Sequence, residues 1–314
     1  MTTGDPHAAS NRIPWGSLPP AVRARVEDRA GARVTDAGLA PGGFSAGYAG
    51  IVTFEGGERL FVKAGDGATN AETARLHRRE AEVTAGLPAG IAPRLTWMIE
   101  HDAWVVISLE PIDGRHPGAP WTDDDLSAVL AAQARLAAAS APPVLEPLAP
   151  SIAEMLTGWS RLIAEDRVDI APEWVRGRAA ELANLEGDAV AAAAAGDAIV
   201  QLDMRSDNVL IEHGAVRLVD WPHAGRGADW LDVAFFAPTV PLEGGPPAAE
   251  VFARSPLADT TAPDDLLAIV SGWAGRQLWA SRQPAPPGIP HLRAFQAAQA
   301  GATLDWLGVL LASG

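Results

Sequence analysis

The chain has 314 residues, 48% apolar and 20% charged, with no cysteine and a formal charge of −15 at pH 7. That length can bury a substantial core in one large domain or two ordinary ones. The lack of cysteine excludes a disulfide, a thiol nucleophile and a cysteine–zinc site. The acidity argues against nucleic acid as partner, and no apolar run approaches the roughly 18 residues of a membrane span.

Of the 24 basic residues, 23 are arginine and one is Lys63. A composition that disfavours lysine has kept it once, where a compact ammonium among phosphate oxygens is something arginine cannot easily replace.

Residues 1–14 lack the basic start and apolar core of a signal peptide and read as a disordered polar tail, consistent with a cytoplasmic protein. A short helix is predicted over 21–29 and a strand over 33–39. The stretch 41–50, P-G-G-F-S-A-G-Y-A-G, brings Gly43, Ser45 and Gly47 into a turn whose backbone N–H groups could approach a ligand closely. It matches neither G-x-G-x-x-G nor a Walker ending. A strand over 51–54, a turn at Glu55-Gly56-Gly57 and a strand over 59–63 complete a hairpin ending in the sole lysine.

Thr69 with Glu72 reads as a capping box opening a helix to about Leu87. A strand-borne lysine followed by a helix-borne glutamate can fix an ammonium against nucleotide phosphates. Glu80 is preferred over Glu72 and Glu82 because it precedes Val83 and Leu87 by helical steps. Strands over 94–100 and 103–109 follow. Glu110-Pro111-Ile112-Asp113-Gly114 then breaks the pattern as a hinge, with Glu110 and Ile112 placed to face an adenine edge.

From Thr122, which with Asp125 caps a helix through Leu136, the chain turns helical. A stripe over 152–163 predicts a second helix, and a third begins near Pro172 and runs past Leu185. The stretch 198–221, A-I-V-Q-L-D-M-R-S-D-N-V-L-I-E-H-G-A-V-R-L-V-D-W, is an apolar run, a polar loop with Asp203 and Asn208, and a hairpin delivering Asp220. Three oxygen-bearing side chains on strand ends suit magnesium and the orientation of a hydroxyl. Asp229 and Asp232 sit near the start of an apolar helix, where an acid suits the dipole and could tie back to the loop. A loop over 237–247 leads to helices over 263–282 and 290–311.

Over roughly residues 33–310 this order resembles the aminoglycoside phosphotransferase family. That family carries H-G-D-x-x-x-x-N, then a hairpin and I-D-W or V-D-W. Here Q-L-D-M-R-S-D-N precedes L-V-D-W. The resemblance implies an α+β, two-lobed protein-kinase-like fold. A small antiparallel-sheet lobe with one helix (15–110) would bind nucleotide, a hinge (111–114) would follow, and a larger, mostly helical lobe (115–314) would carry the catalytic loop and substrate site. It implies Asp203 as catalytic base, Asn208 and Asp220 as magnesium ligands, Lys63 and Glu80 as the phosphate-anchoring pair, and ATP (or GTP) with Mg2+ as cofactors.

Two positions depart from the family pattern, Gln201 for histidine and Leu202 for glycine, although a glutamine amide can support a loop through similar hydrogen bonds. Arg205, Asp229 and Asp232 are candidates for substrate contact. Asp123, Asp124, Asp125, Asp229 and Glu243 are expected to form an acidic cleft suited to a cationic antibiotic. The expected activity is O-phosphorylation of a small hydroxylated molecule, an antibiotic in a resistance or self-protection role. A kinase for a choline- or homoserine-like metabolite and a catalytically silent ATP-binding module are the alternatives. No membrane partner is expected, and a monomer and a homodimer fit equally.

Overall fold

Leu60, Val62 and Ala64 alternate with Phe61 and Lys63, so a pleated strand must send one apolar set and one mixed set to opposite faces. The computed structural model, which describes residues 12–41, 47–285 and 291–313, shows this division. A five-stranded sheet is built from β1 (Val34–Ala37), β2 (Tyr48–Phe54), β3 (Arg59–Asp66), β4 (Leu95–His101) and β5 (Trp104–Leu109), in the order β1-β2-β3-β5-β4. Every neighbouring pair is antiparallel. Leu60, Val62 and Ala64 pack with Leu18 and with Val22 and Val26 of helix α1 (Pro20–Ala30). On the other face α2 (Ala71–Gly86) sets Ala74 and Ala81 against Val105, Ile107 and Leu109, with Phe61 alongside.

The first stretch of chain extends further into the fold than its composition predicts. Ile13 N–H donates to the Gly47 carbonyl at 3.0 Å and Arg12 bridges to Gly47. Residues 12 and 13, assigned from sequence to the tail, therefore lie beside the sheet. Helix α2 is capped by Asn70 and not by Thr69. Asn70 Oδ1 accepts from the N–H groups of Glu72 and Thr73 at 3.1 and 3.2 Å, while the Thr69 hydroxyl is drawn off to Asp66. Asparagine is the stronger N-cap of the two residue types.

The rest of the chain is mostly helical: α3 (Asp123–Ala137), α4 (Ala149–Met155), α5 (Gly158–Ala164), α6 (Glu173–Arg176), α7 (Ala179–Ala194), α8 (Leu231–Phe236), α9 (Ala248–Ala253), α10 (Pro263–Ala280) and α11 (Leu292–Ser313). Two short ribbons interrupt it. In one, β6 (Ala198–Val200) pairs with β9 (Gly225–Gly227), and in the other β7 (Val209–Glu212) pairs with β8 (Ala215–Leu218). Apolar faces of these helices form the largest core, in which Trp159, Trp221 and Phe236 are fully buried.

The helix predicted over 152–163 is broken at Leu156–Thr157. The break exposes the first N–H groups of α5 to buried Glu186 of α7, which accepts from Trp159 and Ser160 at 2.9 and 3.2 Å. The third predicted helix likewise splits into α6 and α7, and the predicted loop over 237–247 contains a 3-10 turn, Ala237–Glu243. Strand β9 has a glycine at each end and gives no strand signal in the sequence. Among the described residues no helix is long and apolar enough to cross a membrane.

Helices α5 and α10 meet at Gly158 and Gly275, where a Cβ on Gly158 would lie 2.0 Å from a backbone carbon. Gly158→Ala is expected to force the helices apart and lower unfolding free energy by about 2 kcal/mol. Urea unfolding checks this, and an unchanged midpoint would show that the contact can yield.

Candidate nucleotide-binding and catalytic site

The alternation that buries Val62 turns Lys63 toward α2 and the mouth of the sheet. Lys63 Nζ donates to both carboxylate oxygens of Glu80, at 2.7 and 2.8 Å, and to Asp220 Oδ1 at 3.0 Å. Three carboxylate oxygens thus occupy one ammonium. Of the three candidate glutamates, Glu80 is the one that meets the lysine. Glu72 pairs with Arg75 and Glu82 approaches Arg79. Burial works against the Lys63 charge, but Asp220 and Glu80 outweigh it and hold its pKa above the usual lysine range. Burial also works to raise Asp220, yet Lys63 keeps that carboxyl low and ionised. Burial raises Glu80, with Lys63 opposing.

The loop from β6 to β7 carries the second group. Asp203 Oδ1 accepts from Arg205 Nη1 at 2.6 Å, and its Oδ2 accepts from Asn208 Nδ2 at 3.0 Å. Arg205 also binds Asp207 at 2.9 and 3.1 Å. Burial pushes the Asp203 carboxyl up to about 6, opposed by Arg205 and reinforced by Asp220 and Asp207.

Buried Gln201 supports the loop from below. Its Nε2 donates to the Val219 carbonyl at 2.6 Å and the Asp220 carbonyl at 3.2 Å. Asp232, sequestered under the loop, accepts from the N–H groups of Gln201 and Leu202, both at 2.8 Å. Leu202 and Asp220 both adopt φ +67°, a backbone region that costs a non-glycine residue about 1 kcal/mol or more.

Between the sheet and this loop lies a cavity of about 310 Å³. Leu39, Ile51, Phe61, Leu109, Leu210 and Val219 form an apolar slot, and Lys63, Glu80, Asp207, Asn208 and Asp220 form its polar end. Glu110 and Ile112 line the slot too. An apolar slot opening onto convergent polar groups suits a flat ring with a polar extension.

By sequence alone no family model and no curated protein matches the chain. Solved structures do. The chain matches a thermostable mutant of aminoglycoside phosphotransferase APH(4)-Ia, in ternary complex with AMP-PNP and hygromycin B, at TM-score 0.55 and 14% identity, covering 94% of this chain and 99% of the other. It also matches spectinomycin phosphotransferase APH(9)-Ia, in complex with ADP and spectinomycin, at TM-score 0.59 and 12% identity over 90% and 97% of the two chains. Amicoumacin kinase hAmiN, in complex with AMP-PNP, Ca2+ and its ligand, matches at TM-score 0.54 and 12% identity over 88% and 93%. The chain has the aminoglycoside-phosphotransferase-like form of the protein-kinase fold.

Within that phosphotransferase-like fold the sequence-predicted residues fall into three groups. Lys63, Glu80, Asn208 and Asp220 line the cavity, with Glu110 and Ile112 along its slot, and Asp203 and Arg205 stand on the loop beside it, bonded to each other and to Asn208 and Asp207. Gly43 and Ser45 lie outside the described residues. Gly47 does not line the cavity; its φ of +107° and a notional Cβ 2.2 Å from the Ala64 carbonyl oxygen mark a close backbone approach.

Asp229 sits elsewhere, exposed on a surface depression with Asp197 and Arg226. Asp232 is turned inward onto the loop backbone, so its contact is with Gln201 and Leu202 and not with a substrate. The expected acidic cleft is also dispersed. Asp123 pairs with Arg254 and Asp125 with Arg115, while Glu243 accepts from Trp121 Nε1 at 3.0 Å and from the Ser206 hydroxyl.

Neither His77 nor Arg12 carries a signal in the sequence. His77, one helical turn before Glu80, is 4% exposed, and its Nδ1 has no hydrogen-bond partner among the described residues. Burial and then the Lys63 charge push its pKa down to about 4, leaving the ring neutral. Arg12 lines the cavity from outside the predicted lobe.

Asp232 gives a test of the loop support. Burial raises its carboxyl to about 6 against the two N–H donations that favour the anion. A pKa higher in the folded than in the unfolded chain means this group's stabilisation is complete below about pH 4 and lost as pH rises through about 6. The stability difference between wild type and non-titrating Asp232→Asn should therefore move against wild type from pH 4 to 7 in denaturant titrations, and a constant difference would sink the assignment.

Proposed function

We propose that the protein is an ATP- and magnesium-dependent O-phosphotransferase that modifies a hydroxyl of a small antibiotic molecule. The observation that carries this is the junction at Lys63. One ammonium is shared by Glu80 and Asp220, Asn208 joins them at the polar end of an apolar slot, and Asp203 is bound to Asn208 on the adjoining loop.

The residues fit a magnesium ion. Asn208 spends its Nδ2 on the Asp203 carbonyl at 2.8 Å and on Oδ2, which leaves its amide oxygen as the atom for a cation. Asp220 is held ionised by Lys63. Among the described residues no group of three or more histidines and carboxylates could hold a metal alone, and a one-carboxylate, one-amide set suits an ion that completes its octahedron with phosphate oxygens and water. Magnesium held there would offset charge on the phosphates.

Asp203 is fixed at both oxygens and more basic than a free carboxylate, yet ionised at neutral pH. It would take the proton as the acceptor's O–H bond breaks. The acceptor oxygen then bonds to the γ-phosphorus while the bond to the β-phosphate oxygen opens and ADP leaves. Lys63, released in part from Asp220, would hold the phosphates in line. The choice of a hydroxylated antibiotic as acceptor is supported by the hygromycin B, spectinomycin and amicoumacin complexes that share this fold.

The test is a magnesium–nucleotide screen across antibiotics and polar metabolites with product read by mass. A product 80 Da heavier than an antibiotic is expected, from addition of about one HPO3 unit, and a product only with metabolites would move the acceptor class. Asp203→Ala should retain nucleotide binding and lose transfer by roughly 10²-fold or more; undiminished turnover counts against the base. Asp220→Ala should lose magnesium-dependent nucleotide binding, checked by titration calorimetry with and without chelator.

A further inference from the structure

The polar end of the cleft is short of cations for the polyanion it is read as holding. The cavity lining has four carboxylates, Glu80, Glu110, Asp207 and Asp220, against the two cations Lys63 and Arg12. All three Lys63 donors are engaged by Glu80 and Asp220, and Arg205 is spent on Asp203 and Asp207.

Arg12 is differently placed. Its Nη1 donates to the Ala40 carbonyl and reaches toward Pro41 O at 3.5 Å, while its Nε is buried with no hydrogen-bond partner among the described residues. Asp220 and Asp207 are close enough to favour its charge but neither forms a hydrogen bond with it among the described residues, and burial outweighs them. A guanidinium has five donors in a rigid fork. Here it keeps donors in reserve, in the wall of a cavity, with its backbone fixed by the bridge to Gly47. Leaving such a group desolvated and underpaired is costly unless an anion completes it.

We propose that Arg12 is a second phosphate-binding cation of the nucleotide site, delivered from ahead of the first helix. The assignment rests on the kinase reading above. Arg12 supplies forked N–H donors to the phosphate chain, and Lys63 supplies a point charge. Its contact with the Ala40 carbonyl also ties the chain at residues 40–41 to the same anion.

The experiment is calorimetric titration of the full-length wild type, Arg12→Ala and Arg12→Lys with Mg-ATP, Mg-ADP and adenosine. Arg12→Ala should weaken Mg-ATP binding by roughly tenfold or more, the worth of a charged hydrogen bond, and leave adenosine within about twofold. Arg12→Lys should recover part of the loss. Equal Mg-ATP affinity in wild type and Arg12→Ala overturns the assignment. So does an equal loss for adenosine, which would make Arg12 a brace for Ala40, or tighter ATP binding, which would make it a plug. Arg12→Lys no better than Arg12→Ala also counts against it. A wild-type chain that binds none of the three sinks the kinase reading and this assignment together, whereas the other failures remove Arg12 alone.

Discussion

Everything in the cleft depends on one buried ammonium being shared by two carboxylates. Lys63 is 12% exposed at its side chain and Glu80 1%, so removing Lys63 would leave the Glu80 carboxyl buried without its cation, at a cost of about 3–5 kcal/mol. Because Lys63 belongs to β3, Glu80 to α2 and Asp220 to the chain after β8, this cluster also fixes how the sheet meets the loop. Neutral His77 fits the same constraint. A second cation beside Lys63 would compete for Glu80, and burial keeps the imidazole from becoming one.

The loop itself is strained and held from beneath. Leu202 and Asp220 both sit in the left-handed region, and neither is glycine. The hydrogen bonds from Gln201 to Val219 and Asp220, with the two N–H groups captured by Asp232, offset that strain, while Asp220 lines the cavity and Asp203 is bound to Asn208 beside it. Asp232 therefore works through the backbone and from below. Of the two readings its sequence position allows, substrate contact and a tie back to the loop, the hydrogen bonds show the tie.

The pattern of strands and helices was legible where periodicity is strong, as in β3, β5 and the apolar helices, and so was the order of chemical groups from Lys63 to Asp220. What sequence could not show depends on contacts distant along the chain. The split between α4 and α5 is decided by Glu186, which lies 27 residues from Trp159. The inward turn of Asp232 is decided by Gln201, 31 residues away. Asp123 and Asp125 looked like an open acidic surface because their arginine partners, Arg254 and Arg115, are on other segments. Arg12 was invisible for the opposite reason, since a polar residue near a chain end gives no periodic signal. Gln201 was readable as a departure, and its amide now makes the supporting bonds a loop residue there must make.

The single lysine has a practical consequence. No other side chain in this molecule ends in a primary amine, and this one is held protonated by two carboxylates whenever the cleft is at rest. Amine-directed reagents therefore have one side-chain target, silent while Glu80 and Asp220 grip it and exposed when they let go. The chain carries its own reporter of cleft opening, which mass spectrometry can read without any added label site.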